Sequence, residues 1–311
     1  MWKINGLAYS RPPSCGSRGS GELNRWAAKG VRYVKWLPNA QGIDASDDFL
    51  DEFYETIICN DMVLITHVGE EKAVEAEGSQ ELGNPLRFRK PLDMGVKIII
   101  AHSAGMGIND DLDQPGDNVE QRSSFELFLR LMQDEKYVGQ LFGEISAMVL
   151  TNRKKKIRFR MKNEEGQEEE IEEVPLIHLM RLLDERGPAL TERFVNGSDY
   201  PLPAINALIH TRDFAKQGSI RDRERALLTE IYRRNPLEFD YVLKRTLRLP
   251  RDNRPAEDDG KWGCDPAVDI CLPKSVFGVP PCLAVIGNDT TVENPKCHDE
   301  KQRSFIETPP T

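Results

Sequence analysis

The sequence contains no long apolar segment. No apolar run among its 311 residues approaches the ~20 needed to cross a bilayer, and residues 1–5 do not begin the apolar region of a signal peptide. Positive charge is also in short supply, since 42 Lys and Arg face 51 Asp and Glu, for a net charge of -9. Membrane insertion and non-specific binding to nucleic acid are therefore disfavoured. The composition predicts a soluble, cytoplasmic protein.

Cysteine and histidine are scarce, with six and five residues respectively. No two cysteines form a C-x-x-C pair, and a chain of this length does not need disulfides for stability. Several of these residues gather near the C-terminus, namely Cys264, Cys271, Cys282 and the pair Cys297-His298. Their irregular spacing in a segment rich in proline and glycine favours unpaired thiols over a zinc site there.

The remaining composition is that of a folded domain. Apolar residues make up 39% and charged residues 30%, which excludes collagen, a coiled coil and wholesale disorder. Short apolar segments alternate with segments of helical periodicity. The apolar segments are residues 31–37, 62–65, 96–101, 138–145 and 193–199, the last a strand that runs into a loop. This alternation predicts an α/β fold with a parallel sheet that is buried on both faces.

The sequence also predicts where the domain begins and ends. Residues 1–21 are rich in turn and linker residues and are expected to be irregular. Residues 22–250 form the α/β domain, and residues 251–311 form an irregular tail. Within the domain, residues 153–173 join a basic arm to an acidic arm, which predicts a hairpin whose cross-strand charges cancel. We interpret this hairpin as a solvated ribbon over the mouth of the domain rather than as a nucleic-acid site.

Polar side chains fall at corresponding places along the repeated units. Lys35 lies at the end of the first strand and His67 ends the second. His102 ends the third strand, and Asp199 follows the fifth. Because the carboxyl ends of parallel strands share one face, we expect these four side chains to converge. Two imidazoles and a carboxylate are suitable ligands for a divalent metal, Zn²⁺ first and Mn²⁺ second.

Each of these residues also has a simpler interpretation. Either histidine alone could cap a loop, and Asp199 could be the N-cap of a helix over residues 201–216. Lys35 has apolar neighbours, so it needs a partner, a neutral form or a modification, unless its ammonium group reaches outward between helices. Glu144 is interpreted as an ion-pair residue. The other histidines are interpreted as structural or surface residues of helices, for His178 and His210, or lie in the tail, for His298.

Four motifs carry a resemblance to a known family. They are KWLPN at residues 35–39, LITHVG at 64–69, IIAHSA at 99–104 and NGSDYP at 196–201. In order and spacing they resemble the amidohydrolase superfamily, in the branch of amidohydrolase-related metal-dependent hydrolases, which also contains metal-dependent decarboxylases. The resemblance extends from Glu22 to Leu247, and the order of the motifs is its most specific feature.

The resemblance implies a distorted (β/α)₈ barrel and assigns a role to each strand-end residue. His67 would bind a metal ion. His102 would bind a second ion or act in acid–base catalysis. Asp199 would bind metal and accept a proton from the attacking water. Lys35 lies where some members of the family carry a carboxylated lysine that bridges two metal ions.

One family feature is missing, which shapes the predicted fold. Members begin with a His-x-His pair on the first strand, and this sequence has none. The strand of Lys35 corresponds to the fourth, so we expect an incomplete TIM-barrel-like fold with about five of eight βα units. The predicted function is metal-dependent hydrolysis of a carbonyl-type bond in a small-molecule substrate. The alternatives are a metal-dependent non-oxidative decarboxylase and a non-catalytic barrel remnant that forms homo-oligomers through its open sheet edges.

Overall fold

A parallel sheet organises the protein, which we describe from a computed structural model. The structure describes residues 3–4, 7–9, 18–72, 74, 78–114, 119–149, 157–162, 168–205, 209–251 and 262–277, with the backbone alone at 3–4, 7–9, 18–20, 157–162 and 168–173. The strands are Lys3–Ile4 (β1), Leu7–Tyr9 (β2), Tyr33–Trp36 (β3), Val63–His67 (β4), Lys97–Ala101 (β5), Ile108–Asp110 (β6), Gln121–Ser123 (β7), Leu141–Glu144 (β8), Ile157–Lys162 (β9), Glu168–Glu173 (β10), Phe194–Val195 (β11), Arg248–Pro250 (β12) and Asp269–Cys271 (β13).

Helices follow most strands of this sheet. They are Arg18–Ala27 (α1), Pro38–Gln41 (α2), Asp51–Cys59 (α3), Arg89–Met94 (α4), Ser124–Gln133 (α5), Pro175–Arg186 (α6), Pro188–Thr191 (α7), Thr211–Lys216 (α8), Asp222–Arg234 (α9) and Pro236–Thr246 (α10). None of the helices in the described part of the chain is both long enough and apolar enough to cross a membrane.

The order of the strands confirms the predicted α/β class. The five predicted strands are β3, β4, β5, β8 and β11, and they pair in that order, all parallel. Parallel strands that follow one another in chain order are the arrangement of a (β/α)₈ barrel, whereas a doubly wound sheet reverses its order. Within the described residues the sheet ends at β1 and β11 without closing, as expected of an incomplete barrel.

The N-terminal segment, predicted to be irregular, contributes strands to this sheet. β1 and β2 pair as an antiparallel hairpin, and β2 adds to the parallel sheet beside β3. α1 begins at Arg18, inside the segment that we expected to be irregular. The sequence does not predict the short β2, because turn residues follow it directly. Its backbone groups pair with the edge that β3 would otherwise leave open.

Local signals position the helices that follow the strands. The Asn84 side chain accepts a hydrogen bond from the Leu86 amide at 3.0 Å and caps the helical segment that leads into α4. Gly95 ends α4 in the left-handed conformation, with φ of 103°. Both boundaries agree with the sequence prediction. The core lies between these helices and the sheet, where Trp36 of β3 stacks on Phe53 of α3 with ring centroids 4.8 Å apart.

The first helix after β11 is shorter than predicted. A helix over residues 201–216 was expected, but a single 3₁₀ turn at Leu202–Ala204 and α8 stand in its place, and residues 206–208 lie outside the described residues. Pro201 and Pro203 lack backbone donors and restrict the residues before them, so a regular helix does not form here. The two later helices, α9 and α10, lie where they were predicted.

The charged insertion and the tail carry regular pairing. β9 and β10 form the antiparallel hairpin of residues 153–173, and its register sets Arg158 opposite Glu172 and Arg160 opposite Glu170.

In the tail, β13 pairs with β12, and Cys264 and Cys271 form a disulfide. The preference for unpaired cysteines was wrong for these two. The turn at residues 265–269 brings their Cα atoms to 5.8 Å, a contact that linear spacing does not reveal. The tail residues Cys282, Cys297 and His298 lie outside the described residues.

Candidate functional site at the strand ends

The structure brings the predicted site residues together at one cavity. Lys35, His67, His102 and Asp199 all line a cavity of about 470 Å³ at the carboxyl ends of the strands. The rings of His67 and His102 lie 5.4 Å apart, measured between centroids. Residues separated by up to 164 positions therefore meet because parallel strands end at one face of the sheet. With Glu144 we call these residues the strand-end site.

A chain of hydrogen bonds orients His102. The Ser146 hydroxyl donates to Glu144 Oε2, and its oxygen lies 2.7 Å from Nδ1 of His102. Since this hydroxyl proton is given to Glu144, the hydrogen bond requires His102 to donate from Nδ1. Nε2 then carries the lone pair, and it faces Asp199 Oδ2 at 3.7 Å. The relay leaves Nε2 of His102 available to bind a cation or to accept a proton.

The backbone at His102 is strained. His102, Ser103 and Ala104 have φ of 56°, 48° and 53°, a left-handed conformation that non-glycine residues rarely adopt. The His102 amide donates to Glu144 Oε2 at 3.2 Å, and the Ser103 hydroxyl donates to the Glu144 carbonyl oxygen at 3.0 Å. These bonds hold the turn against β8. Strain of this kind persists where surrounding contacts enforce it, which is common at functional sites.

His67 is buried and neutral. Burial lowers the pKa of its imidazole to about 3, because the charged form loses its hydration, and the nearby His102 and Lys35 act in the same direction. Its Nε2 donates to the Glu70 carbonyl oxygen at 3.3 Å, so Nδ1 carries the lone pair. Nδ1 lies 3.5 Å from Oε2 of Glu71, whose side chain is buried. His67 is thus in the protonation state that metal ligation requires.

Lys35 reaches the same cavity from β3. Burial lowers the pKa of its ammonium group, while the negative charges of Glu144, Asp199 and Glu71 oppose that shift. The side chain therefore points into the site, and the interpretation that it reaches outward between helices is not supported. The position is compatible with the modified lysine that the family resemblance implies.

Asp199 is held by a buried ion pair behind its loop. Asp199 has φ of 52°, and two residues earlier Gly197 packs so tightly on Glu144 that an added Cβ would lie 2.0 Å from Oε1. The Lys244 ammonium donates to the Gly197 carbonyl oxygen at 2.7 Å and to Asp240 Oδ2 at 2.8 Å. Lys244 and Asp240 are almost fully buried. This ion pair, which lies on α10, fixes the loop that carries Asp199.

Sequence reasoning missed several of these contacts. Ser146 was not considered, although it follows β8 as closely as the predicted residues follow their strands. Glu144 was predicted as an ion-pair residue, whereas its carboxylate accepts hydrogen bonds from Ser146 and from the backbone of His102. For Glu71 the sequence did offer a signal, because the residue lies four positions after His67 and could be its i,i+4 partner. Lys244 and Asp240 have the same spacing, which in an exposed helix would indicate a surface pair.

His178 and His210 do not line this cavity. His178 lies in α6 and meets the Phe125 ring edge to face, with centroids 5.9 Å apart. His210 is exposed and precedes α8 in extended conformation, so it is not the helical residue that was predicted.

The donor atoms of the site fit a divalent metal by type, and the structure holds them in pairs. Two ligands that share one Zn²⁺ at ~2.1 Å and the tetrahedral angle lie about 3.4 Å apart. His67 Nδ1 and Glu71 Oε2 are 3.5 Å apart, and His102 Nε2 and Asp199 Oδ2 are 3.7 Å apart. Within the described ranges, no three His, Cys, Asp or Glu side chains form a group that could hold a metal ion. The shortest distances group these donors into two imidazole–carboxylate pairs, and the predicted metal site stays a prediction.

Comparisons with known proteins add little to this description. No family model matches the chain, and no curated protein matches it. One solved structure that is similar is an uncharacterized TIM-barrel protein from Bordetella bronchiseptica, with 12% identity and a TM-score of 0.41 over 76% of this chain. The match spans 66% of that protein. The resemblance to the amidohydrolase superfamily has no support from these comparisons and stays a prediction.

Proposed function

We propose that this protein is a metal-dependent hydrolase that directs water at a carbonyl-type bond. The observation that carries the proposal is the relay through Glu144 and Ser146, which aims Nε2 of His102 at the carboxylate of Asp199 inside a cavity. A relay that fixes one tautomer is expected where an imidazole binds a metal or moves a proton. The cavity volume, about 470 Å³, falls within the range of small-molecule sites.

The side chains divide the chemistry between them. His67 and Asp199 would hold the ion, which would polarise a carbonyl group and lower the pKa of a bound water. Asp199 accepts the proton of the attacking water and passes it to the lone pair of His102 Nε2, and His102 then gives this proton to the leaving group. The positive charge of Lys35 stabilises the negative charge that develops on the carbonyl oxygen. Water adds to the carbonyl carbon, and the bond to the leaving group breaks.

The lining of the cavity favours substrates with an apolar acyl part. Opposite the charged groups, the wall is formed by aliphatic and thioether side chains, namely Leu37, Val68, Met106, Met148, Pro175 and Leu202. Methionine side chains adapt to irregular apolar groups, so this wall accepts a range of shapes. Esters, lactones and amides with an aliphatic or aromatic acyl group are therefore the first substrates to test.

Metal binding is the first test. Purified protein is dialysed, titrated with Zn²⁺ or Mn²⁺ by isothermal calorimetry, and analysed for metal content. We expect about one equivalent per chain, with weakened binding in His67→Gln and in Asp199→Asn. Asp222→Asn is the control, because that carboxylate lies on α9 and is 90% exposed. A metal content below about a tenth of an equivalent in the parent protein would count heavily against the proposal.

Turnover separates hydrolysis from the alternatives. The metal-loaded protein is assayed on a series of aryl esters and lactones and, in parallel, for release of carbon dioxide from aromatic carboxylates. We expect hydrolysis, with kcat/KM reduced about 10²-fold or more in His102→Gln because proton transfer is lost. Release of carbon dioxide without hydrolysis would favour the decarboxylase instead. Absence of turnover together with self-association in light scattering would favour the non-catalytic remnant.

A further inference from the structure

A second cavity lies among the helices that follow β11. It has a volume of about 550 Å³ and is lined by α8, α9, the first turn of α10 and residues 209–210. It shares no lining residue with the strand-end cavity. Nothing in the proposed hydrolase chemistry uses it.

The charges that line this cavity are mainly positive. Arg212 and Lys216 of α8 and Arg225 of α9 face it, against the single carboxylate of Asp213. Arg212 and Lys216 are four residues apart on one helix, a spacing at which like charges repel. This concentration of positive charge stands out in a chain whose net charge is -9. Three cations around one concavity lower their mutual repulsion when an anion lies between them.

Arg225, whose side chain is 41% exposed, is only weakly neutralised from within the protein. Its Nε is buried and, among the described residues, has no hydrogen-bond partner. The carboxylate paired with it is that of Asp222, with Oδ1 at 3.6 Å from Nε and a side chain that is 90% exposed. That contact is longer than a hydrogen bond and is screened by water. An additional acceptor in the cavity would satisfy the guanidinium group.

The apolar part of the lining is aromatic. Phe239 is buried and meets Tyr232 edge to face, with ring centroids 5.2 Å apart. The Tyr232 hydroxyl donates to the Ala204 carbonyl oxygen at 2.8 Å, which holds the ring in place. Ile209 adds an aliphatic surface. Flat apolar groups pack well against such rings.

We propose that this second cavity binds an organic anion, a carboxylate or phosphate group carried on a flat apolar body of one or two rings. The anion lies among Arg212, Lys216 and Arg225, and the ring packs on the accessible part of Tyr232. The inference does not depend on the hydrolase proposal, because it concerns a separate cavity and a binding event without chemistry.

Calorimetry on the full chain tests this inference with matched probes. 2-Naphthoate is compared with 2-naphthamide, which has the same shape without the charge, and 2-naphthyl phosphate distinguishes phosphate from carboxylate. We expect at least one of the two anions to bind at one per chain, about tenfold or more tighter than the amide. Binding should weaken as salt is raised, because the contact is electrostatic.

Variants assign the binding to this cavity. Arg212→Gln with Lys216→Gln, two exposed positions where substitution leaves the fold intact, should weaken anion binding about tenfold. Arg233→Gln is the matched control, since that side chain is exposed on α9 and does not line the cavity. Asp199→Asn should bind the anion unchanged. Equal binding of acid and amide, no binding of either anion up to about 5 mM, or a loss confined to Asp199→Asn would each overturn the inference.

Discussion

The strand-end site and a second cluster of charged side chains, beside the loop after β5, are built in opposite ways. At the strand-end site, the carboxylates of Glu71 and Asp199 lie 3.5 and 3.7 Å from the unprotonated ring nitrogens of His67 and His102. In the loop after β5, the carboxylates of Asp111 and Asp113 face Arg89, Arg122 and Arg130. We call these five residues the acid–arginine cluster. The first cluster brings acceptors together, whereas the second matches each acceptor with donors.

The acid–arginine cluster satisfies its charges internally. Arg130 donates to both carboxylate oxygens of Asp111, at 2.7 and 2.8 Å, and to Asp113 at 2.7 Å. Arg89 adds a bond to Asp113 at 2.7 Å, and Arg122 Nε lies 3.0 Å from Asp111. Bidentate guanidinium–carboxylate pairs of this kind are strong and geometrically specific. The cluster therefore fixes a loop through paired charges.

The strand-end site depends on the rest of the molecule to hold its imidazole and carboxylate groups close together. Positive φ angles at His102 and Asp199 and the buried ion pair behind Gly197 hold acceptors close to one another. Acceptors at this distance repel unless a proton or a cation lies between them. We infer from this difference that the strand-end site can bind a ligand because its hydrogen-bond acceptors are held close to one another. Substitutions can remove, in turn, the contacts that hold these acceptors together and the ion pairs of the acid–arginine cluster.

The largest effect is expected at Lys244. Lys244→Met leaves the carboxylate of Asp240 buried beside an apolar group, so the free energy of unfolding should fall by about 3–5 kcal/mol. Urea denaturation followed by circular dichroism measures this change. The double variant Lys244→Met with Asp240→Leu removes both charges and should recover most of the loss. A double variant no more stable than the single one would show that the ion pair is not the source of the effect.

A smaller effect is expected at Gly197. Gly197→Ala introduces a Cβ that would lie 2.0 Å from Oε1 of Glu144, so the carboxylate and the relay to His102 must move. Overpacking of this kind costs about 1–3 kcal/mol of unfolding free energy. Metal affinity or turnover should fall as well, because Glu144 orients Ser146 and His102.

A matched glycine supplies the control for that substitution. Gly21 lies in α1 with no atom within 4 Å of an added Cβ, and alanine is the better helix former by about 1 kcal/mol. Gly21→Ala should therefore keep or raise stability and leave the site unchanged. If Gly197→Ala behaves like Gly21→Ala, the tight packing behind Asp199 has no functional weight.

The central strands and the convergence of the site residues follow from local sequence. Runs such as residues 98–101 are apolar throughout because both faces are buried, and a polar residue after such a run reaches the cavity edge. The order of the strands then follows from alternation with helices. The sequence therefore predicts that Lys35, His67, His102 and Asp199 converge, and all four line one cavity.

The contacts that complete the site were out of reach of that reasoning. Ser146 and His102 are 44 residues apart, and their hydrogen bond depends on the register of β5 against β8. Lys244 and Asp240 look like a surface pair until the packing of α10 buries them. The disulfide between Cys264 and Cys271 depends on the turn at residues 265–269. Each is a tertiary contact whose partners carry no local signal.

The smallest effect concerns the acid–arginine cluster and its dependence on pH. Hydrogen bonds from Arg89 and Arg130 lower the pKa of Asp113 to about 2, against about 3.9 when unfolded. The unfolded state binds the proton first as pH falls, so this stabilisation is complete above about pH 4 and is lost towards pH 2. Because the side chain is 35% exposed, Asp113→Asn should cost less than about 1 kcal/mol at pH 7.

Unfolding free energies of Asp113→Asn and the parent protein, measured by urea at pH 7, 4 and 3, check this expectation. The gap between the two proteins should narrow as pH falls below about 4, and also in 1 M NaCl at pH 7, because solvent ions screen the pair. Asp222→Asn should show no gap at any pH, since that carboxylate is 90% exposed. A gap for Asp113→Asn that is the same at every pH and salt concentration would mean that the loop is held by shape rather than by charge, and the contrast between the two clusters would fail.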